Sequence, residues 1–136
     1  METVKTIYTG ELRTKATHVK SSETIITDAP VDNQGRGEAF SPTDLLAAAL
    51  GSCILTIIGI AAREHGFSID GITAGITKIM ESSPRRVGEI RIDLNFPNVV
   101  YTDKQKRIIR NAAKTCPVAL SLNPELKQSV NFIFRG

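Results

Sequence analysis

Residues 45–62 read LLAAALGSCILTIIGIAA, eighteen consecutive positions without a charged side chain. A run of this length reaches the lower bound for a membrane span. It is diluted by Gly51, Ser52, Cys53, Thr56 and Gly59 and has no second span beside it, so it reads as the central buried helix of a globular domain and not as a membrane anchor. Its start is well marked. Ser41 can cap, Pro42 suits the first helical position, Asp44 supplies the acid of a capping box, and Phe40 can staple onto Leu45. Gly66 marks the stop, and His65, when charged, favours the negative end of the helix dipole. From residue 42 to 65 such a helix is roughly 36 Å long at 1.5 Å per residue. A helix apolar on every side needs cover all round, and a chain of 136 residues has little material to supply it, which predicts a dimer. Small residues four apart, Ala47 with Gly51 and Ala48 with Ser52, would let two such helices approach closely.

Composition narrows the classes. With 41% hydrophobic and 23% charged residues the chain reads as one globular domain spanning residues 1–136. The net charge of +3 comes from 17 basic residues that are scattered, dense only at 84–86 and 104–110, and aromatic residues are few. Stacking platforms for nucleic acid are missing, so no nucleic-acid partner is expected. The first ten residues show no apolar stretch followed by a small-residue cleavage site, and a cytoplasmic location with reduced thiols is the expectation.

Around the long helix the pattern changes to strands. Residues 89–96 alternate without a fault, placing Ile90, Ile92, Leu94 and Phe96 on one face. Residues 72–80 make a partner strand through a turn at 82–84, and Val130, Phe132 and Phe134 form a final strand. Residues 4–9, 12–19 and 24–27 predict a three-stranded meander with a turn at 20–23. A second helix starts at Thr102, boxed by Gln105, and stops at Pro117 with Ile108, Ile109, Ala112 and Ala113 on its inner side. Cys116 extends that stripe inward, and residues 117–120 begin a short third helix ending near Asn123 and Pro124.

The two cysteines are where chemistry is expected. Cys53 lies in the apolar run and Cys116 is delivered from a distant segment, an arrangement that points to a nucleophilic thiol and a second thiol that resolves its oxidised form. A metal site built from Cys53, Cys116, His18 and His65 shows none of the short paired spacings of zinc ligands, so neither metal nor cofactor is expected. The loop at residues 29–39, with Gly35 and Gly37 around Arg36, precedes the long helix and is a candidate wall of the site.

The run SPTDLLAAALGSC at residues 41–53, followed after 62 intervening residues by Cys116, Pro117, Val118 and Ala119, resembles the osmotically induced protein C and organic hydroperoxide resistance family. The resemblance implies an α+β fold: an intertwined homodimer with long central buried helices wrapped by antiparallel sheets. It also implies that Cys53 is the peroxidatic thiol, Cys116 the resolving thiol, organic hydroperoxides the substrates and an external dithiol the reductant.

A buried thiol needs a cation to become a thiolate, and arginine suits because it stays charged when desolvated. The family pattern uses an arginine from the N-terminal part of the fold, steered by a glutamate ten positions before the first cysteine. This chain has Thr43 there. Arg36 is favoured, with Glu38 as its steering carboxylate, and Arg13 on the N-terminal hairpin is the alternative. The competing class is a non-catalytic dimer that binds a small apolar ligand in the cleft beside Cys53, its peroxidase activity lost with the glutamate.

Overall fold

Turn residues and strand-forming stretches make a meander at the N-terminus of the computed structural model, which describes residues 1–97 and 99–136. The chain divides into two units, Met1–Leu46 and Ala47–Gly136. In the first, β1 (Val4–Gly10), β2 (Arg13–His18) and β3 (Thr24–Asp28) form an antiparallel sheet in the order β1-β2-β3. The β1–β2 turn is tight because Gly10, Glu11 and Leu12 all take positive φ, which only Gly adopts without cost. After β3 the chain passes through a 3-10 turn at Val31–Asn33. A bridge from Thr27 to Phe40 and a 3.0 Å bond from the Asp28 N–H to the Phe40 carbonyl then close the loop. Gly35 is required there, because a Cβ would overlap the Ala29 carbonyl. Of the three strands, only Thr27 and Asp28 are buried.

Helix α1 (Pro42–Glu64) begins in this unit and continues through the second. Its capping box forms as the sequence indicates: the Asp44 N–H donates to Ser41 Oγ and the Ser41 N–H to Asp44 Oδ2, each at 3.0 Å. Phe40 is 56% exposed, its backbone joined to β3. Gly66 closes the other end with φ +75°, while the Phe67 and Gly66 amides donate to the Ala62 and Arg63 carbonyls. This is a Schellman stop.

In the second unit β4 (Thr73–Glu81) and β5 (Arg86–Phe96) form an antiparallel hairpin. Helices α2 (Asp103–Ala113) and α3 (Pro117–Ser121) follow, and β6 (Lys127–Phe134) joins the far side of β5. The expectation of antiparallel sheets fails at this last pair: β6 runs parallel to β5, from Glu89 opposite Lys127 to Phe96 opposite Phe134. The crossover through α2 and α3 returns the chain to the same end of the sheet, which a parallel strand needs and a hairpin cannot provide. Ile90, Ile92, Leu94 and Phe96 are completely buried and join Leu50, Ile54 and Ile58 of α1 in one core. Each such side chain contributes about 1.5–3 kcal/mol when taken out of water.

α1 is long and apolar enough to cross a membrane, with mean hydropathy 2.4 over eighteen residues, but only 33% of that window is buried. Its buried positions, Ala47, Leu50, Gly51, Ile54, Ile58 and Ala62, form a single stripe. Cover on every side, expected from its composition, is therefore not supplied by one chain.

Candidate functional site

Helix α1 carries Cys53 at mid-length, half-buried against the edge of the core. Cys116 is completely buried. It does not lie on the α2 stripe, because α2 ends at Ala113, where the Thr115 hydroxyl and backbone N–H both bond back to the Ala112 carbonyl. Cys116 instead takes extended dihedrals as the N-cap of α3, with Pro117 at the first helical position, and its Sγ accepts the Ala119 N–H at 3.5 Å. That conformation leaves the Cys116 thiol near enough to Cys53 for the one to influence the ionisation of the other. Both thiols are free.

Burial pushes the Cys116 thiol above its ordinary value, and the neighbouring Cys53 side chain adds to the rise; the Ala119 and Val118 amides oppose it without reversing it. The two thiols thus differ in setting, Cys53 half-buried and Cys116 completely buried with its proton held more tightly. A sulfur oxidised at Cys53 would have its partner already at hand.

The first unit contains a separate charged cluster. Arg13 and Asp28 are opposite residues in the β2–β3 register. The Arg13 fork donates from Nε to Asp28 Oδ1 at 2.7 Å and from Nη2 to Oδ2 at 2.9 Å. Nη2 also reaches Glu38 Oε1 at 3.1 Å, and the Glu38 N–H donates to Asp28 Oδ2 at 3.2 Å. Asp28 is 1% exposed and Arg13 29%. The hydrogen bonds from Arg13 hold the Asp28 carboxyl below the usual carboxylate range, outweighing the effect of burial. Arg36, ranked first from sequence, is exposed and approaches Glu11 and Glu38 only at 4.0 Å. Glu38 touches both arginines but is bonded to Arg13. Thr43 sits in the capping turn, its hydroxyl 3.2 Å from Ser41 Oγ.

Asp28 is the residue that sequence reasoning missed. The strand expected at residues 24–27 stops one position short of it, and the expected turn at 20–23 would pair residue 19 with 24, whereas the observed register pairs Thr17 with Thr24 across residues 18–23 and so sets Arg13 opposite Asp28. Among the described residues no group of three or more His, Cys, Asp and Glu side chains could hold a metal. His18 Nδ1 is 2.6 Å from Ser21 Oγ, and His65 Nδ1 is 2.8 Å from the Ala61 carbonyl at the end of α1.

The model of the OsmC-like protein family matches residues 35–131. A comparison with curated proteins gives no match. Among solved structures, a Psychrobacter arcticus protein provisionally named for osmotic stress induction and detoxification response is 55% identical, with TM-score 0.92 over 97% of this chain and 96% of that one. Two more distant structures share the fold. An organic hydroperoxide resistance protein OsmC from Legionella pneumophila is 13% identical, with TM-score 0.76 over 98% of each chain. An organic hydroperoxide resistance protein from Elizabethkingia anophelis is 15% identical, with TM-score 0.75 over 99% of this chain and 98% of that one.

Proposed function

Since the chain belongs to the OsmC-like protein family, we propose that it is a thiol-dependent peroxidase that reduces organic hydroperoxides through Cys53 and Cys116. The observation that carries this reading is the pairing of a half-buried thiol, Cys53, with a completely buried one, Cys116, whose ionisation it influences. The substrate class follows the names of the Legionella and Elizabethkingia proteins that share the fold.

In the proposed reaction the Cys53 thiolate attacks the distal oxygen of ROOH. An S–O bond forms, the O–O bond breaks, and the alkoxide leaves with a proton as the alcohol, so the peroxide is reduced and Cys53 becomes a sulfenic acid. Cys116 then attacks that sulfur. The S–S bond forms as hydroxide departs and collects a proton to become water. An external dithiol supplies the two electrons that reduce the disulfide, itself becoming oxidised.

The cation assigned to the first step is Arg13, which is anchored at two points, whereas Arg36 is held by neither of its carboxylates closer than 4.0 Å. A guanidinium stays charged when desolvated and presents a planar set of donors to a thiolate or peroxide oxygen. Its delivery to Cys53 in an assembled homodimer, in the cytoplasm where a dithiol reductant is available, is part of the proposal.

Mixing reduced protein with one equivalent of cumene hydroperoxide and counting free thiols tests the reading. Rapid loss of both thiols to an intramolecular disulfide is expected. Cys53→Ser should abolish it, and Cys116→Ser should leave a sulfenic acid that dimedone captures. Slow thiol loss indifferent to either substitution would reject the peroxidase and favour the ligand-binding alternative.

A further inference from the structure

A groove in the second unit lies between α2, α3 and β6, cationic on one wall and apolar on the other. We propose that it binds a free acyl carboxylate, an aliphatic chain ending in a single negative charge. Neither cysteine is among its walls. The site therefore stands apart from the proposed peroxidase reaction and does not depend on it.

The charged wall comes from α2. Arg110 and the capping residue Lys114 stand four positions apart and so share a helix face. The Arg110 guanidinium lies 5.0 Å from the centre of the Phe132 ring and 5.4 Å from that of Phe134. A cation held over aromatic rings is fixed in place without spending its N–H donors on a carboxylate. Among the described residues neither Arg110 nor Lys114 forms an ion pair, and no carboxylate lines the groove. The Asn111 and Ala112 carbonyls at the end of α2, which would repel an anion, accept the Lys114 and Thr115 amides. Both positive charges are thus left for a ligand.

The apolar wall is made by Ala119 and Leu120 of α3 and by Val130 and Phe132 of β6. Val130 and Phe132 are alternate residues of one strand and lie on the same face. Gln128 ties the two elements together, its Nε2 donating to the Ala119 carbonyl at 3.0 Å. Leu120 is 74% exposed, a large apolar side chain that gains from being covered. The cavity volume of about 580 Å³ falls within the usual range for small-ligand sites. An inorganic anion would use only Arg110 and Lys114, and an alcohol of the same length would leave both charges unanswered. A carboxylate at the end of an aliphatic chain meets the two walls together.

Calorimetric titration of dodecanoate, kept below its micelle-forming concentration, into the reduced full chain tests the site with no peroxide present. Saturable binding that weakens as salt is raised is expected. Arg110→Gln and Lys114→Gln should each weaken it about tenfold or more, the loss of a hydrogen bond to a charged group. Leu120→Glu, which adds a negative charge to the apolar wall, should weaken it at least as much. All three positions are exposed, and thermal melts check that each variant folds. Dodecanol should bind wild type more weakly than dodecanoate and should not distinguish wild type from Arg110→Gln. Absence of dodecanoate binding would overturn the inference, as would an affinity unchanged in both charge variants or displacement of dodecanoate by an equal concentration of inorganic phosphate. Failure of the peroxidase reading would leave these results unaltered, because neither thiol takes part in the titration.

Discussion

Cys116, completely buried, neighbours the half-buried Cys53 across 62 residues of sequence, and burial raises its thiol above the ordinary value. A thiol must lose its proton before it can attack a sulfenic acid, and burial holds that of Cys116 in place. The two steps of the proposed cycle should therefore differ in their pH response. Disulfide formation after a single peroxide addition, followed by rapid quench and alkylation, is expected to accelerate about tenfold per pH unit from about pH 6 to 8, as the thiolate fraction does below its pKa. A flat profile would mean that a local base removes the proton and that Cys116 burial does not control resolution.

The carboxylates give the opposite pH window. Asp28 is held below its ordinary range chiefly by the hydrogen bonds from Arg13, and Glu89 chiefly by that from Arg91, with Ser129 adding. A lowered native value means that the unfolded state takes up protons first as pH falls. The stabilisation is present above the unfolded carboxylate range, about pH 4, and is lost as pH falls through the lower native values. The melting temperature is expected to be level above about pH 5 and to drop below about pH 4. Asp28→Asn should lower the plateau and soften the drop. An acid profile identical to wild type in that variant would show that the Asp28 charge contributes no net stability.

The fold was legible wherever the deciding pattern was local. Both capping boxes involve residues three apart, and the β5 core positions alternate along one strand, so Ser41 with Asp44, Thr102 with Gln105, and Ile90 through Phe96 could be read directly. Features set by partners distant in sequence could not. The parallel placement of β6 depends on the crossover taken by α2 and α3. The position of Cys116 depends on α2 ending at Ala113 instead of continuing to Pro117. The cysteines marked themselves as the candidate site by type and setting. The Arg13–Asp28 pair is visible only once a strand register is drawn, and an aspartate at a strand end has an ordinary reading as a turn residue.

Leu94 is completely buried in the central strand of its sheet, packed in the core that also contains Ile54 and Phe96. Its truncation removes apolar contacts and leaves a cavity that a strand flanked on both sides cannot readily close. Leu94→Ala should cost about 2–5 kcal/mol in urea unfolding, whereas Arg91→Ala, on the exposed face of the same strand, should stay within about 1 kcal/mol. Comparable losses at the two positions would contradict the assignment of faces along β5.

The N-terminal sheet exposes Val4, Ile7, Tyr8, Ile25 and Ile26, and α1 exposes Ile60. A three-stranded sheet is stable in water only with an apolar face buried against something, and within β1–β3 only Thr27 and Asp28 are covered. A second copy of the chain is the proposed cover, which would also complete the partly buried α1. Sedimentation equilibrium at micromolar concentration is expected to give twice the mass of one chain. Replacing Ile7 and Ile26 with glutamate should shift the protein toward monomer and lower its melting temperature together, since burying either carboxylate without a partner is unfavourable. A wild type that sediments as a monomer, or a double variant with unchanged mass and melting temperature, would place the missing cover elsewhere than on this sheet.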